Sequence, residues 1–249
     1  MSVELYFFQP LGTHSGRVFL ALLEKGVAFI EHELSGPRFE HLGAPYLAIN
    51  PKGQVPALVH QGRVLTEGVP ICEYIDEAFA GPALRPADLT ERWRMRRWCR
   101  FIDRDLGRCL MMLHWNRIVP SFVGGRTPEE VEEILARVPD PDRRRAWRSA
   151  YRQQTPPEQL AESQRRVSIA VTQIEDTLAR HRWLAGSQYS LADIDLINFY
   201  GFLPRWSPEL LNERTAPRTF EWLARVEERA AVRQLRARTR LPLATPDAQ

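Results

Sequence analysis

The chain has 249 residues, 44% of them hydrophobic and 26% charged, the make-up of an ordinary globular protein with one large domain or two modest ones. Its net charge is +3 and 31 acids nearly balance 34 bases; with no motif that mixes basic and aromatic residues, a nucleic-acid surface is excluded. No run approaches the roughly 18 apolar residues of a membrane span, and no leader-like pattern of a basic segment before an apolar one opens the chain, so the reading is a cytoplasmic protein without a membrane partner.

Lysine occurs only at Lys25 and Lys52, so arginine carries nearly all the positive charge. In "EWLARVEERAAVRQLRAR" the arginines alternate with acids at helical spacing, as on a solvated face. Cys72, Cys99 and Cys109 form no C-x-x-C motif and no even set, which suits buried, reduced thiols. The six histidines are scattered, and no metal site is expected.

In chain order, "VELYFF" is a short apolar run and predicts a strand. "SGRVFLALLEKG" has helical periodicity, Ser15 as a candidate N-cap and Gly26 past its end. "VAFIEHEL" predicts a second strand and "EHLGAPYLAIN" a weak helix that stops before Pro51. "VPALVH" and "RVLT", joined by Gln61-Gly62, predict a hairpin, and "GVPICEYIDEAF" a helix. Two strands joined through a helix should be parallel and the hairpin antiparallel, which gives a small mixed sheet with helices on its faces. "GPALRPADLT" is a Pro/Gly-rich joint. Beyond residue 90 all patterns are helical: "TERWRMRRWCRFIDRDLGRCLMMLHW", "TPEEVEEILARV", "PPEQLAESQRRVSIAVTQIEDTLARH" and "YSLADIDLINFYGFL", the last with a capping-box start at Ser190 and Asp193. The stretch "PDPDRRRAWRSAYRQQT" is polar and Pro-punctuated, and reads as a break between helices.

The combination of "NPKGQVPAL", "LTEGVPICEYIDEAF" and "YSLADI" in this order resembles the cytosolic glutathione S-transferases over essentially the whole chain. The inserted region that runs from "RTPEEVEEILARV" through "QIEDTL", with "RFEHLGAPYLAINPKGQVPAL", resembles the bacterial β-etherases, glutathione-dependent enzymes that split aryl ethers of lignin fragments. The resemblance implies an α/β thioredoxin-like domain with a mixed four-stranded sheet over residues 1–80, a linker over 81–89 and an all-α domain with the electrophile pocket over 90–240. Residues 241–249 are expected to be a disordered tail. It also implies glutathione as co-substrate, a small aromatic electrophile as substrate and a homodimer.

Proline cannot donate to a strand ladder, so Pro56 inside "VPALVH" demands a reason. Only about 5–6% of X-Pro bonds are cis, but the resemblance implies that Val55-Pro56 is. The Val55 main chain would then be left free to pair with an extended peptide, as an added strand does. Glu67, at the start of the next helix, would hold the α-amino group of the γ-glutamyl end; the plain alternative is an acid that complements the helix dipole. Gly68 stands where the family has a serine, which removes one hydrogen bond to a charged group, about 1.5–3 kcal/mol, and leaves the helix N-terminal N–H groups. His41, Lys52 and Gln54 are candidates for the glycyl end.

A thiol must ionise to become a nucleophile, from a free pKa near ~8.5. In the loop "PLGTHSGRV", Ser15 is the first candidate donor to the thiolate and Thr13 the second. His14 is either a further donor or solvated, and an ordinary N-cap is the plain alternative for Ser15. Met111, His114, Trp115, Tyr200 and Trp206 offer the flat, polarisable lining that suits an aryl substrate, the alternative being interdomain core. The reading is a glutathione transferase, with β-aryl ether cleavage as its finer form. A glutathione-dependent isomerase or dehydratase and a non-catalytic binder of aromatic ligands are the rivals.

Overall fold

Alternation of buried and half-buried side chains along Val3–Phe8 (β1) places Val3, Leu5 and Phe7 in the core, as a strand covered on one face requires. The computed structural model describes residues 2–9 and 14–240; Thr13 and the expected tail lie outside the described residues. His14–Lys25 (α1) follows, then Ile30–Leu34 (β2), a short 3₁₀ turn at Glu40–Leu42, Ala44–Leu47 (α2), Ala57–His60 (β3), Arg63–Thr66 (β4) and Gly68–Ala78 (α3). The sheet order is β2-β1-β3-β4, with β1 parallel to β2 and antiparallel to β3, and β3 antiparallel to β4. Gln61 and Gly62 both take positive φ, 53° and 73°, as the two central residues of a tight hairpin with the twist of its strands must.

Helices make up the rest: Leu89–Phe101 (α4), Gly107–Val123 (α5), Pro128–Ala136 (α6), Pro141–Tyr151 (α7), Pro157–Leu178 (α8), Leu191–Tyr200 (α9), Leu203–Trp206 (α10), Pro217–Glu227 (α11) and Ala230–Arg238 (α12). Between α4 and α5 the helix widens to a π turn at Ile102–Leu106, a device that re-aims side chains without ending a helix. No helix among the described residues is long and apolar enough to cross a membrane. The main core joins the two parts of the chain, since α1 packs on α3, α9 and α12.

Asp193 shows why α9 starts where it does. It is fully buried and accepts from the N–H of Ser190 (3.0 Å) and Leu184 (3.1 Å) and from Trp222 Nε1 (2.9 Å), completing the capping box with Ser190. Burial raises its pKa to about 6 against the pull of those bonds. The three cysteines are free and buried.

One segment departs from expectation. Residues 141–151, read as a break, form α7. Pro141 occupies its first turn, where no N–H is needed, and Asp140 accepts from the Arg143 N–H at 2.8 Å as its cap. Trp147 is buried and meets the rings of Phe39, Trp115 and Phe122 at 5.9, 5.3 and 6.3 Å. A second core thus forms around α5, α6 and α7 and the Phe39–Leu42 corner of the sheet domain. Trp147→Ala is expected to cost about 3–5 kcal/mol, measured by denaturant unfolding, with amide exchange accelerated in α6 and α7 before it is in the sheet.

Candidate functional site

The ladder of β3 begins at Ala57, paired with Tyr6 on one side and Thr66 on the other. The Val55-Pro56 bond is cis, and no hydrogen bond joins the Val55 main chain to a described residue. The segment before it is braced from behind: the Gln54 carbonyl accepts from Tyr46 Oη (2.5 Å) and Asn50 Nδ2 (2.7 Å). The Gln54 side chain is exposed. The result is a fixed strip of backbone with an open polar edge at Val55.

Beside this strip lies the N-terminus of α3. Glu67 caps it with φ 71°, a left-handed value unusual for a non-glycine residue. Pro70 has no N–H and the Ile71 N–H bonds the Glu67 carbonyl at 3.0 Å, so the N–H groups of Gly68 and Val69 are the donors a helix leaves without internal partners. The Glu67 carboxylate is exposed and pairs with Lys52 Nζ at 2.6 Å. An acid and a pair of N–H donors a residue apart suit a zwitterionic amino-acid end.

Ser15 is the second residue of α1, inside the helix, so it is not the N-cap. It is 4% exposed, and its Oγ accepts the Phe8 N–H at 3.3 Å, which ties the first turn of α1 to the end of β1. His14 is half-exposed, 3.7 Å from Asp103 and edge-on to Phe199. Desolvation by its neighbours and the Arg17 guanidinium lower its pKa, against the pull of Asp103, which favours the neutral ring.

Arg17 is the residue that sequence reasoning missed. It has 0% exposure, donates from Nη1 to Asp103 at 2.7 Å and lies 3.4 Å from Asp195 through Nε, while Nη2 has no partner among the described residues. A Cβ on Gly68 would stand 2.8 Å from Arg17 Cδ. Gly68 is thus neither simple tolerance nor only a lost hydroxyl: it makes room for the buried cation. The available signal was an arginine among apolar residues in "SGRVFLALL", with no acid three or four positions away.

Two expected contacts are corrected. His41 is 1% exposed and lies among the rings of Phe8, Phe39 and Trp147, its two ring nitrogens without a hydrogen-bond partner among the described residues, so it belongs to the core and not to a carboxylate-binding surface. Tyr200 is fully buried at the end of α9, part of the main core rather than a pocket wall. Trp115 packs on Trp147 in the second core. Met111 is partly buried on α5. His114, buried, has Nε2 3.2 Å from Ser207 Oγ and meets the Trp206 ring edge-on, which joins α5 to α10.

The family model for the glutathione S-transferase N-terminal domain matches residues 13–78, and that for the C-terminal domain residues 109–230. The chain belongs to the glutathione S-transferase family. As a glutathione transferase it takes glutathione as co-substrate. It is 35% identical to protein LigF of Sphingobium sp. strain SYK-6 over 94% of this chain and 93% of the relative. The crystal structure of beta-etherase LigF from that organism superposes with a TM-score of 0.91 at 34% identity, covering 96% of this chain and 100% of the other. FtsZ-localized protein A of Caulobacter vibrioides is 31% identical over 82% of each chain. Maleylpyruvate isomerase of Ralstonia sp is 36% identical over 42% of this chain and 49% of its own.

Within this transferase the Gly68–Arg17 contact has a direct consequence. Gly68→Ser, which restores the family's usual residue, is expected to destabilise the protein by about 1–3 kcal/mol through overpacking, a fall in Tm of roughly 2–12 °C for a chain of this size, read by thermal unfolding without ligand.

Proposed function

We propose that this transferase cleaves β-aryl ethers, with the thiolate of glutathione as nucleophile. The observation that carries the reading is the likeness to LigF along the whole chain, inserted helices included, at a TM-score of 0.91. Residues 1–80 serve as the glutathione-binding domain and 90–240 carry the electrophile pocket, with Met111, His114 and Trp206 the remaining candidates for its wall. Three buried, free cysteines suit a reducing, cytoplasmic setting.

The chemistry follows from what the site offers. The cysteinyl unit of glutathione pairs with the Val55 main chain. The γ-glutamyl carboxylate meets the N-terminus of α3, and its ammonium takes the place of Lys52 on Glu67, an exposed pair that solvent screens and that is cheap to break. The Ser15 hydroxyl gives its hydrogen to no described residue and supplies it, with the N-terminal end of α1, to the thiolate, which lowers the thiol pKa. Sulfur then attacks the carbon that bears the aryloxy group. The C–S bond forms, the C–O bond breaks with its electron pair leaving on oxygen, and the phenoxide takes a proton from water. Alignment supplies most of the rate, because a resonance-stabilised leaving group needs no strong acid.

Incubation with glutathione and a model β-aryl ether is expected to release phenol and thioether in equal amounts, read by mass spectrometry. Thioether from an aryl halide with none from the ether would reduce the reading to a general transferase. Turnover without net loss of glutathione would favour the isomerase reading.

We also propose that the protein is a homodimer, as is typical of its family, with α4 at the interface. Leu89 and Trp93 are 77% and 61% exposed, one helical turn apart, and Arg97 stacks on Trp93 at 5.7 Å in the next turn. Large apolar side chains aligned at that exposure suit a protein contact. Trp93→Glu is expected to convert the dimer to monomer in sedimentation velocity, with little change in far-ultraviolet circular dichroism.

A further inference from the structure

We infer that Arg143, delivered by helix α7, binds the glycyl carboxylate of glutathione; this rests on the reading of the Val55 edge as the glutathione site.

The direction in which the tripeptide lies can be worked out from the sheet register. Ala57 pairs with Thr66, so Glu67 and the α3 N-terminus stand beside the Pro56 end of the open strip. A γ-glutamyl group anchored there, with the cysteinyl unit opposite Val55, runs antiparallel to the strip. Each residue advances about 3.4 Å. The glycine therefore lies beside Gln54 and Gly53, and its carboxylate needs a cation at that end.

Neither of the expected residues provides one. His41 is enclosed in the core, and Lys52 reaches the other way, to Glu67. Arg143 is in place. Its Nη1 donates to the carbonyls of Gly53 (2.9 Å) and Lys52 (3.3 Å), the residues immediately before Gln54.

The state of that guanidinium points to an anion. An arginine has five N–H donors, and Nη1 alone has a partner among the described residues. Among the described residues no carboxylate forms an ion pair with it. Asp140, the acid with the strongest pull on it, is occupied as the cap of α7. Partial burial pushes the pKa of Arg143 below its ordinary value, against the pull of Asp140, as expected where no carboxylate is paired with the cation. A planar fork of donors held at the end of a peptide-binding strip is what a terminal carboxylate fits. Helix α7 belongs to the second core with α5 and α6, so on this reading the helical part of the chain completes the co-substrate site.

Calorimetric titration of the wild type and of Arg143→Gln with glutathione and with γ-glutamylcysteine, which lacks the glycine, tests this. The wild type is expected to bind glutathione about tenfold or more tightly than γ-glutamylcysteine, the value of one charge-assisted hydrogen bond. Arg143→Gln is expected to lose that preference, weakening glutathione by about tenfold and γ-glutamylcysteine by less than about twofold, with Arg143→Lys in between. Equal weakening of both thiols would make Arg143 a loop brace only and overturn the proposal, as would unchanged binding of glutathione. A wild type that binds neither thiol would overturn the glutathione site itself, an outcome separate from any result with the variant.

Discussion

The placing of one buried cation governs much of this molecule. Arg17 stands in α1 of the sheet domain with no access to solvent, held by Asp103 from the π turn and Asp195 from α9. Moving a guanidinium out of water costs several kcal/mol, and a buried pair recovers this only with good geometry on both sides. The interface must therefore bring both carboxylates to the same place, which fixes how α1 and α9 lie against each other. Ser15 and His14, two and three positions before Arg17, are oriented by the same constraint. So is the start of α3, where a glycine is needed because the arginine stem occupies the space of a side chain. Asp195 bears the cost: burial raises its pKa to about 6 in spite of Arg17.

A second, smaller core carries the α6–α7 hairpin. Phe39 and Leu42 come from the corner after β2, Val119 and Val123 from α5, and Val131, Leu135 and Trp147 from α6 and α7. The hairpin is thus anchored to both parts of the chain at once. The Phe39 ring also receives the Arg126 guanidinium at 5.4 Å, and Arg126 Nη2 donates to the Pro37 carbonyl at 2.7 Å, so the loop that enters α6 is tied down as well. A flexible attachment would suit a lid; this one is a wall.

The sheet and most helices were legible in the sequence because each is specified locally. The alternation in "VELYFF", the Gln61-Gly62 turn between two short runs, and Ser190 with Asp193 three residues on all act within a few residues. What was not legible depends on contacts between distant parts of the chain. In "PDPDRRRAW" the prolines read as breaks, although a proline in the first turn starts a helix as well as any residue. Only the pocket that receives Trp147 makes the difference, and it is built from residues far away in sequence. His41 looked like a surface ligand because histidine is polar; three surrounding aromatic rings put it inside. Gly68 looked like a loss because the arginine that needs the space lies 51 positions earlier in the sequence, as Arg17. Of the proposed site, the cis bond before Pro56 and the place of Glu67 at the start of α3 were readable from their motif, whereas Arg143 was hidden in the stretch taken for a break.

The contact of Lys52 with Glu67 changes what the proposed site presents to solution. With its own ammonium already in residence, the acid is neutralised before any ligand arrives. A small anion without an amine finds no uncompensated acid to repel it and gains nothing from Glu67 either. On the proposed reading, a ligand whose amine and carboxylate sit on one carbon would replace the resident ammonium with its own and use the helix end in the same step. Entry would then be an ion exchange, with the departing lysine tethered a few ångströms away and ready to return when product leaves.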